Sequence, residues 1–170
     1  MAAEAPPLVV VMGVSGSGKS TLARALAESL GWPFEEGDSL HPAANLAKMQ
    51  AGQPLDDADR APWLAAIGRW IDAQAAAGTP GVLTCSALKR AYRDELREHR
   101  PQVRFVFLSG RRELIEERMR RRQGHFMPAC LLDSQLATLQ PPTADERSIE
   151  VDVALTTADQ VAEIRRALSV

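Results

Sequence analysis

Apolar runs alternate with segments of helical spacing along most of this chain. Leu8-Val9-Val10-Val11-Met12 is continuous, largely β-branched and ended by Gly13, which predicts a buried strand. Leu22, Leu26 and Leu30 repeat at i, i+4 and i+8, which predicts a helix that Gly31 and Pro33 stop. Phe34-Glu35-Glu36-Gly37-Asp38 reads as a short second strand with acids at its C-terminal end. Residues 41–52 read as a short helix with Gly52 just past its end. A longer helix runs through Trp63, Ile67, Trp70 and Ile71, with Asp56, Asp57 and Asp59 as capping choices and Gly78 as its close. Further strands are expected at 82–85, 103–108 and 149–155, and further helices at 88–99, 111–122 and 158–168. The stretch 123–147 has no single period and contains Gly124, Pro128, Pro141 and Pro142.

Strand followed by helix, repeated, predicts an α/β fold: a parallel sheet covered on both faces by helices, with right-handed crossovers. Ligands of such folds bind beyond the carboxyl ends of the strands. That places the loops 13–20, 36–41, 85–89 and 109–112 at the working edge.

The length of 170 residues suits one domain with a sizeable core. A net charge of −2 supplies no global field for nucleic acid. Cys85 and Cys130 lack metal or redox spacing, which fits a reducing compartment, the cytoplasm. The first residues show no basic n-region, and the apolar run after them is too short to span a bilayer, so neither signal peptide nor membrane segment is expected.

Residues 13–20, GVSGSGKS, fit the pattern G-x-x-x-x-G-K-[ST]. The glycines let backbone N–H groups converge on phosphate oxygens, and the helix that follows adds its positive end. Gly13, Val14, Ser15, Gly16, Ser17, Gly18, Lys19, Ser20 and Thr21 are the expected nucleotide-phosphate site. Lys19 would reach the β- and γ-phosphates and the Ser20 hydroxyl would ligate Mg²⁺. A chance Lys-Ser after a glycine-rich turn is the bland alternative, but here the motif follows a strand and opens a helix.

Glu36 and Asp38 lie two residues apart at a strand end, so both side chains are expected on one face. One would hold Mg²⁺ through water; the other would orient or deprotonate an acceptor hydroxyl, as phosphoryl transfer needs. The alternative is a solvated turn with a helix-capping Asp. In RRELIEERMRRR (111–122), interleaved acids suit an ordinary solvated helix. The sharper reading takes Arg118 and Arg122, i and i+4 on one face, with Gln123-Gly124-His125-Phe126, as the start of a mobile lid over ATP. Trp63 and Trp70, seven apart, fit the core better than a ligand platform, and Cys85 fits a small buried hydrophobe.

Taken together, these segments make the chain resemble the gluconokinases, small P-loop kinases. The resemblance runs over nearly the whole chain. Its most specific parts are GDSLHPAANLAKM, GQPLDDADRAPWL and TCSALKRAYRDELR, followed by RRRQGHFMPACLLDSQLATLQPP. It implies one three-layer αβα P-loop NTPase domain over residues 1–170, like shikimate and nucleoside monophosphate kinases, with a five-stranded parallel sheet and a lid at about 120–140. It implies transfer of the ATP γ-phosphate to the 6-hydroxyl of D-gluconate, giving 6-phospho-D-gluconate and ADP, with Mg²⁺, in a cytoplasmic homodimer.

Carried onto this chain, the resemblance makes Lys19, Asp38 and Arg122 catalytic, with Asp38 nearest the acceptor hydroxyl. Arg118 and Arg122 would bind ATP, and Ser20 and Glu36 (through water) the metal. His41, Lys48, Arg60, Lys89, Tyr92 and Arg93 would line the sugar-acid pocket, joined by His125 of the lid. An arginine suits the carboxylate of gluconate. Bland readings stand beside several of these: His41-Pro42 as a helix cap, Lys48 solvated, Arg60 paired to Asp56 or Asp57. Lys89 and Arg93 are i, i+4 neighbours of like charge, an arrangement that asks for an anion between them. Two departures are visible. Many gluconokinases carry Asp-Gly-Asp where this chain has Glu36-Gly37-Asp38, and the third strand, in VLTCSAL, lacks a Walker B acid, as it does across the family. A kinase for another acceptor, such as shikimate, would share the phosphate loop; a nucleotide switch or nucleic-acid module is disfavoured by the near-neutral charge and the lack of an aromatic–basic platform.

Overall fold

A computed structural model describes residues 5–121 and 129–170, with side chains described from Leu132 onward in the second stretch. Five strands form one parallel sheet: β1 (Leu8–Met12), β2 (Phe34–Glu36), β3 (Gly81–Thr84), β4 (Val103–Ser109) and β5 (Ile149–Asp152), in the order β2-β3-β1-β4-β5. Among the described residues, seven helices accompany them: α1 (Lys19–Leu30), α2 (Ala43–Gln50), α3 (Asp57–Ala76), α4 (Arg90–Arg97), α5 (Arg112–Arg121), α6 (Ala129–Thr138) and α7 (Thr157–Leu168).

The central strand explains the layering. Every residue of β1 is buried, because successive side chains point to opposite faces and both faces are covered. Leu8, Val10 and Met12 join Trp63, Ile67 and Ile71 of α3 and Leu96 of α4. Val9 and Val11 join Leu22 and Leu26 of α1 and Ile164 of α7. Each fully buried aliphatic side chain contributes about 1.5–3 kcal/mol to this sandwich. A third, smaller cluster of Val14, Leu88, Ile115 and Leu132 lies beyond the sheet and holds α5 and α6 against the loop after β1.

Caps match the expected boundaries. Asp56 accepts from the N–H of Asp59, and the Asp59 side chain returns the bond to Asp56, closing a capping box on α3. Gly31 ends α1 in the left-handed region.

Three elements depart from expectation. α6 is a helix inside the segment read as mixed. The fifth strand stops at Asp152 rather than 155, because the Asp152 carboxylate accepts from the N–H of Ala154 at 2.8 Å and turns the chain. The second strand stops at Glu36, and Gly37–Leu40 forms a 3₁₀ turn. A Cβ on Gly37 would sit 1.8 Å from the Thr84 carbonyl oxygen, so only glycine fits where this turn crosses the end of β3.

Candidate active site

The phosphate loop leaves β1 and enters α1 through Gly18, whose φ of 95° requires a residue without Cβ strain. Ser17 folds the loop on itself: its hydroxyl donates to the Val14 carbonyl at 2.7 Å. Lys19 Nζ donates to the carbonyls of Gly13 and Val14 at 3.0 and 3.1 Å, so its ammonium lies across the loop mouth. One side of the loop, Gly16, Ser17, Gly18 and Thr21, opens on a cleft shared with Arg118 and with Thr156, Thr157 and Gln160 at the start of α7. Ser15 and Lys19 face a second cleft with Asp38, His41, Arg60, Trp63, Ser86 and Gln135. The two clefts meet at the loop, the geometry that a donor and an acceptor of a phosphoryl group require.

Glu36 and Asp38 do not share a strand face. The 3₁₀ turn separates them: Glu36 turns to the hydroxyls of Ser20 and Thr84, and Asp38 lines the second cleft. Glu36 Oε1 accepts from the Ser20 hydroxyl at 2.7 Å and from the Thr84 hydroxyl at 2.6 Å, while Oε2 lies 3.9 Å from Arg24. Thr84 in turn accepts from the Gly37 N–H at 3.0 Å. β3 therefore ends in a hydroxyl that orients the Glu36 carboxylate. Among the described residues no group of three or more His, Cys, Asp or Glu forms a preformed metal cage. The Ser20 hydroxyl and the Glu36 carboxylate are instead hard oxygen donors, the set suited to a Mg²⁺ that arrives with phosphates and keeps several waters.

Asp38 extends into the acceptor cleft with its side chain 63% exposed, 3.9 Å from His41 Nε2. His41 is nearly buried and stacks on Trp63, centroids 4.1 Å apart and planes at 14°. Asn45 Nδ2 donates to the Asp59 carbonyl at 2.7 Å and lies 3.1 Å from His41 Nδ1. A carbonyl only accepts, so the amide nitrogen faces both partners; Nδ1 accepts and the imidazole proton sits on Nε2, toward Asp38. Burial lowers the His41 pKa; Asp38 opposes that shift and Arg60 adds to it. Neutral His41 therefore presents an N–H to the cleft at physiological pH. Trp63 belongs to the core, as expected, and its indole N–H also donates to the Gly37 carbonyl at 2.8 Å, anchoring the turn that carries Asp38.

Arg60 reaches the cleft from α3 and donates to the Tyr92 hydroxyl at 3.2 Å. Tyr92 donates to Asp57, which also receives Lys89 Nζ at 2.9 Å. These bonds hold the Asp57 carboxyl below its usual range, the Tyr92 bond most of all. Burial, followed by that same bond, raises the Tyr92 hydroxyl. Lys48 pairs with Asp59 at 2.8 Å, between α2 and α3. Lys48 and Lys89 thus tie neighbouring elements to the start of α3, behind the cleft wall.

Arg93 requires correction as a substrate ligand. It is fully buried, donates from Nε and Nη2 to both oxygens of Glu146 at 2.7 and 3.1 Å, and donates to the carbonyls of Ala87 and Gln140 at 2.8 and 2.9 Å. The anions that reconcile Lys89 with Arg93 are the protein's own Asp57 and Glu146. Arg93 still serves the site indirectly, by clamping the 85–89 loop that supplies Ser86 and Leu88 to the cleft. Cys85 is inert: burial pushes its thiol up to about 12. Arg122 and His125 lie outside the described residues. Ser86, Ser134 and Gln135 line the acceptor cleft and were missed from sequence; Thr84 was missed in its support of Glu36. None sits in a pattern that spacing alone marks.

The AAA domain family profile matches residues 8–142. A gluconokinase of Gluconobacter oxydans is 56% identical over 146 residues, covering 86% of this chain and 82% of that protein. The crystal structure of a gluconokinase from Sinorhizobium meliloti, 51% identical, superposes with a TM-score of 0.87 over 98% of this chain and 94% of that one. Shikimate kinase from Aquifex aeolicus, 18% identical, shares the fold with a TM-score of 0.59 over 95% of this chain and 96% of that one. With its phosphate loop between two clefts on a 2-3-1-4-5 parallel sheet, the chain belongs to the gluconokinase family, the P-loop kinases that phosphorylate gluconate with ATP.

Proposed function

We propose that this chain transfers the γ-phosphoryl group of ATP to the 6-hydroxyl of D-gluconate, with Asp38 as the residue that receives or directs the hydroxyl proton. The observation that carries the reading is the division of the two carboxylates: Glu36 is bonded to the phosphate-loop Ser20, and Asp38 faces the acceptor cleft beside Lys19. Arg60 and the Nε2–H of His41 supply the donors that a carboxylate and a row of hydroxyls demand. Lys19 lies where charge develops on the transferred group, and Arg118 borders the nucleotide cleft. Ser20 directly, and Glu36 through water, would hold a Mg²⁺ ion, which would supply positive charge against the phosphates. Family membership supports gluconate as the acceptor, and a homodimer is the assembly expected of the family.

A coupled ADP-release assay with Mg²⁺-ATP tests this reading. D-gluconate is run beside shikimate, other aldonates, glucose and AMP. Turnover confined to gluconate is the expected result. Nucleotide binding without gluconate turnover would refute the acceptor while leaving the phosphate loop in place.

A further inference from the structure

Gln135 projects from α6 onto the phosphate loop. Its Oε1 accepts from the Ser15 N–H at 2.7 Å, and its Nε2 lies 3.2 Å from Ser15 Oγ. The contact is a two-point amide clamp across 120 residues of sequence. It is held in register by apolar packing: Leu132 is buried with Val14, Leu88 and Ile115, and Leu136 and Leu139 pack beside them. Leu132 and Leu136 are four apart, so one face of α6 is seated on the loop and Gln135 beside it is aimed at Ser15, with Leu139 just past the helix end packing on the same cluster.

Ser15 is a special point of the loop. Gly16, Ser17, Gly18 and Thr21 face the nucleotide cleft with Arg118, whereas Ser15 and Lys19 face the acceptor cleft with Asp38. A polyphosphate threaded from the first cleft toward the second meets Ser15 last. On that path the terminal phosphate of a triphosphate would be the group nearest the Ser15 N–H, and a diphosphate would end short of it. That donor is already taken, by a neutral acceptor of comparable hydrogen-bonding geometry.

Resting on the proposed kinase reading, we infer that Gln135 is a positioning residue that competes with the terminal phosphate of a nucleoside triphosphate for the Ser15 N–H. The triphosphate displaces the carboxamide, which is then released into the acceptor cleft that it lines. A diphosphate leaves the clamp closed. The two nucleotides are thereby distinguished by a side chain that arrives from the far end of the chain.

Calorimetric titration of the full chain tests this, with ADP and with a non-hydrolysable ATP analogue, in Mg²⁺ and without acceptor. Gln135→Met keeps the length and apolar stem and removes both hydrogen bonds. It is expected to tighten the triphosphate analogue by about two- to tenfold while leaving ADP unchanged. Gln135→Glu still accepts from the Ser15 N–H but sets a negative charge against phosphate. It is expected to weaken the analogue below wild type, a reversal of sign that a purely structural residue would not produce. A thermal melt of each variant shows that the fold is kept. Equal shifts for both nucleotides, no shift in either variant, or weaker analogue binding in Gln135→Met would overturn the inference. Failure of wild type to bind either nucleotide would instead refute the kinase reading on which it rests.

Discussion

In the phosphate loop, Lys19 donates to carbonyls six and five residues away. In the acceptor cleft, Arg60 reaches Tyr92 across 32 residues and Trp63 reaches Gly37 across 26. One region is written in a contiguous octapeptide, whose backbone N–H groups are the donors that the proposed function uses. The other is assembled from side chains on β2's exit turn, α2, α3, the 85–89 loop and α6. Chemistry that uses backbone N–H groups can be encoded locally, because every residue brings the same donor and only the conformation must be specified. Reading a sugar acid takes several side-chain donors at fixed separations, and those come only from elements that the fold holds apart.

The sharpest break between the two regions is Asp38→Asn. It removes the carboxylate from the acceptor side and leaves the loop intact, so kcat is expected to fall by about 10²–10⁴. Affinity for ATP should stay at the wild-type value in calorimetry. A loss in nucleotide affinity of similar size would mean that the two regions are one.

Next in size is the clamp behind the acceptor loop. Arg93→Met strips the buried Glu146 of its bidentate partner and is expected to cost about 3–5 kcal/mol in urea unfolding. The same clamp predicts a pH dependence. Burial pushes the Glu146 carboxyl up, but Arg93, the Thr143 N–H and Arg97 outweigh it and bring the group from its ordinary 4.5 to about 2. A depressed carboxylate contributes its stability fully above pH 4.5 and loses it as the pH falls toward 2. Wild type should therefore lose stability across that window, and the part due to Glu146 should be absent in Glu146→Gln.

The smallest expected effect sharpens the link between the regions. Thr84→Val keeps the shape of the β3 end and deletes the hydroxyl joining Glu36 to the Gly37 N–H. The unpaired amide should cost about 1–3 kcal/mol in the same unfolding measurement. The Mg²⁺ concentration for half-maximal activity should rise, since Glu36 loses one of its two orienting donors. An unchanged Mg²⁺ dependence would remove Thr84 from the account of the metal site.

The order of strands and helices was legible because burial imposes periodicity. β1 is covered on both faces and reads as an unbroken apolar run; α1 is covered on one and reads as a leucine stripe. α6 was not legible, since it packs on the loop Val14 and on Leu88 rather than on the sheet and lies in a stretch punctuated by glycine and proline. Glu36 and Asp38 were legible as a pair but not as a divided pair. Their separation depends on Gly37 passing against the Thr84 carbonyl, a contact between positions 47 residues apart.

By itself the sequence determined the phosphate-loop motif between strand and helix, the layered sheet and, through its family-specific segments, the kinase to which the chain is similar. Each of these rests on local spacing: the glycines before Lys19, the period of apolar positions, the run from Gly37 to Leu64. Tertiary structure alone decided the work of individual charges. Arg60 and Arg93 are the same residue type in equally specific segments, yet one borders the cleft and the other is sealed on Glu146. The cost of burying an unpaired guanidinium made that choice. Arg93 lies where Glu146 and three backbone carbonyls converge, and only the folded chain brings that carboxylate and the Gln140 carbonyl to it.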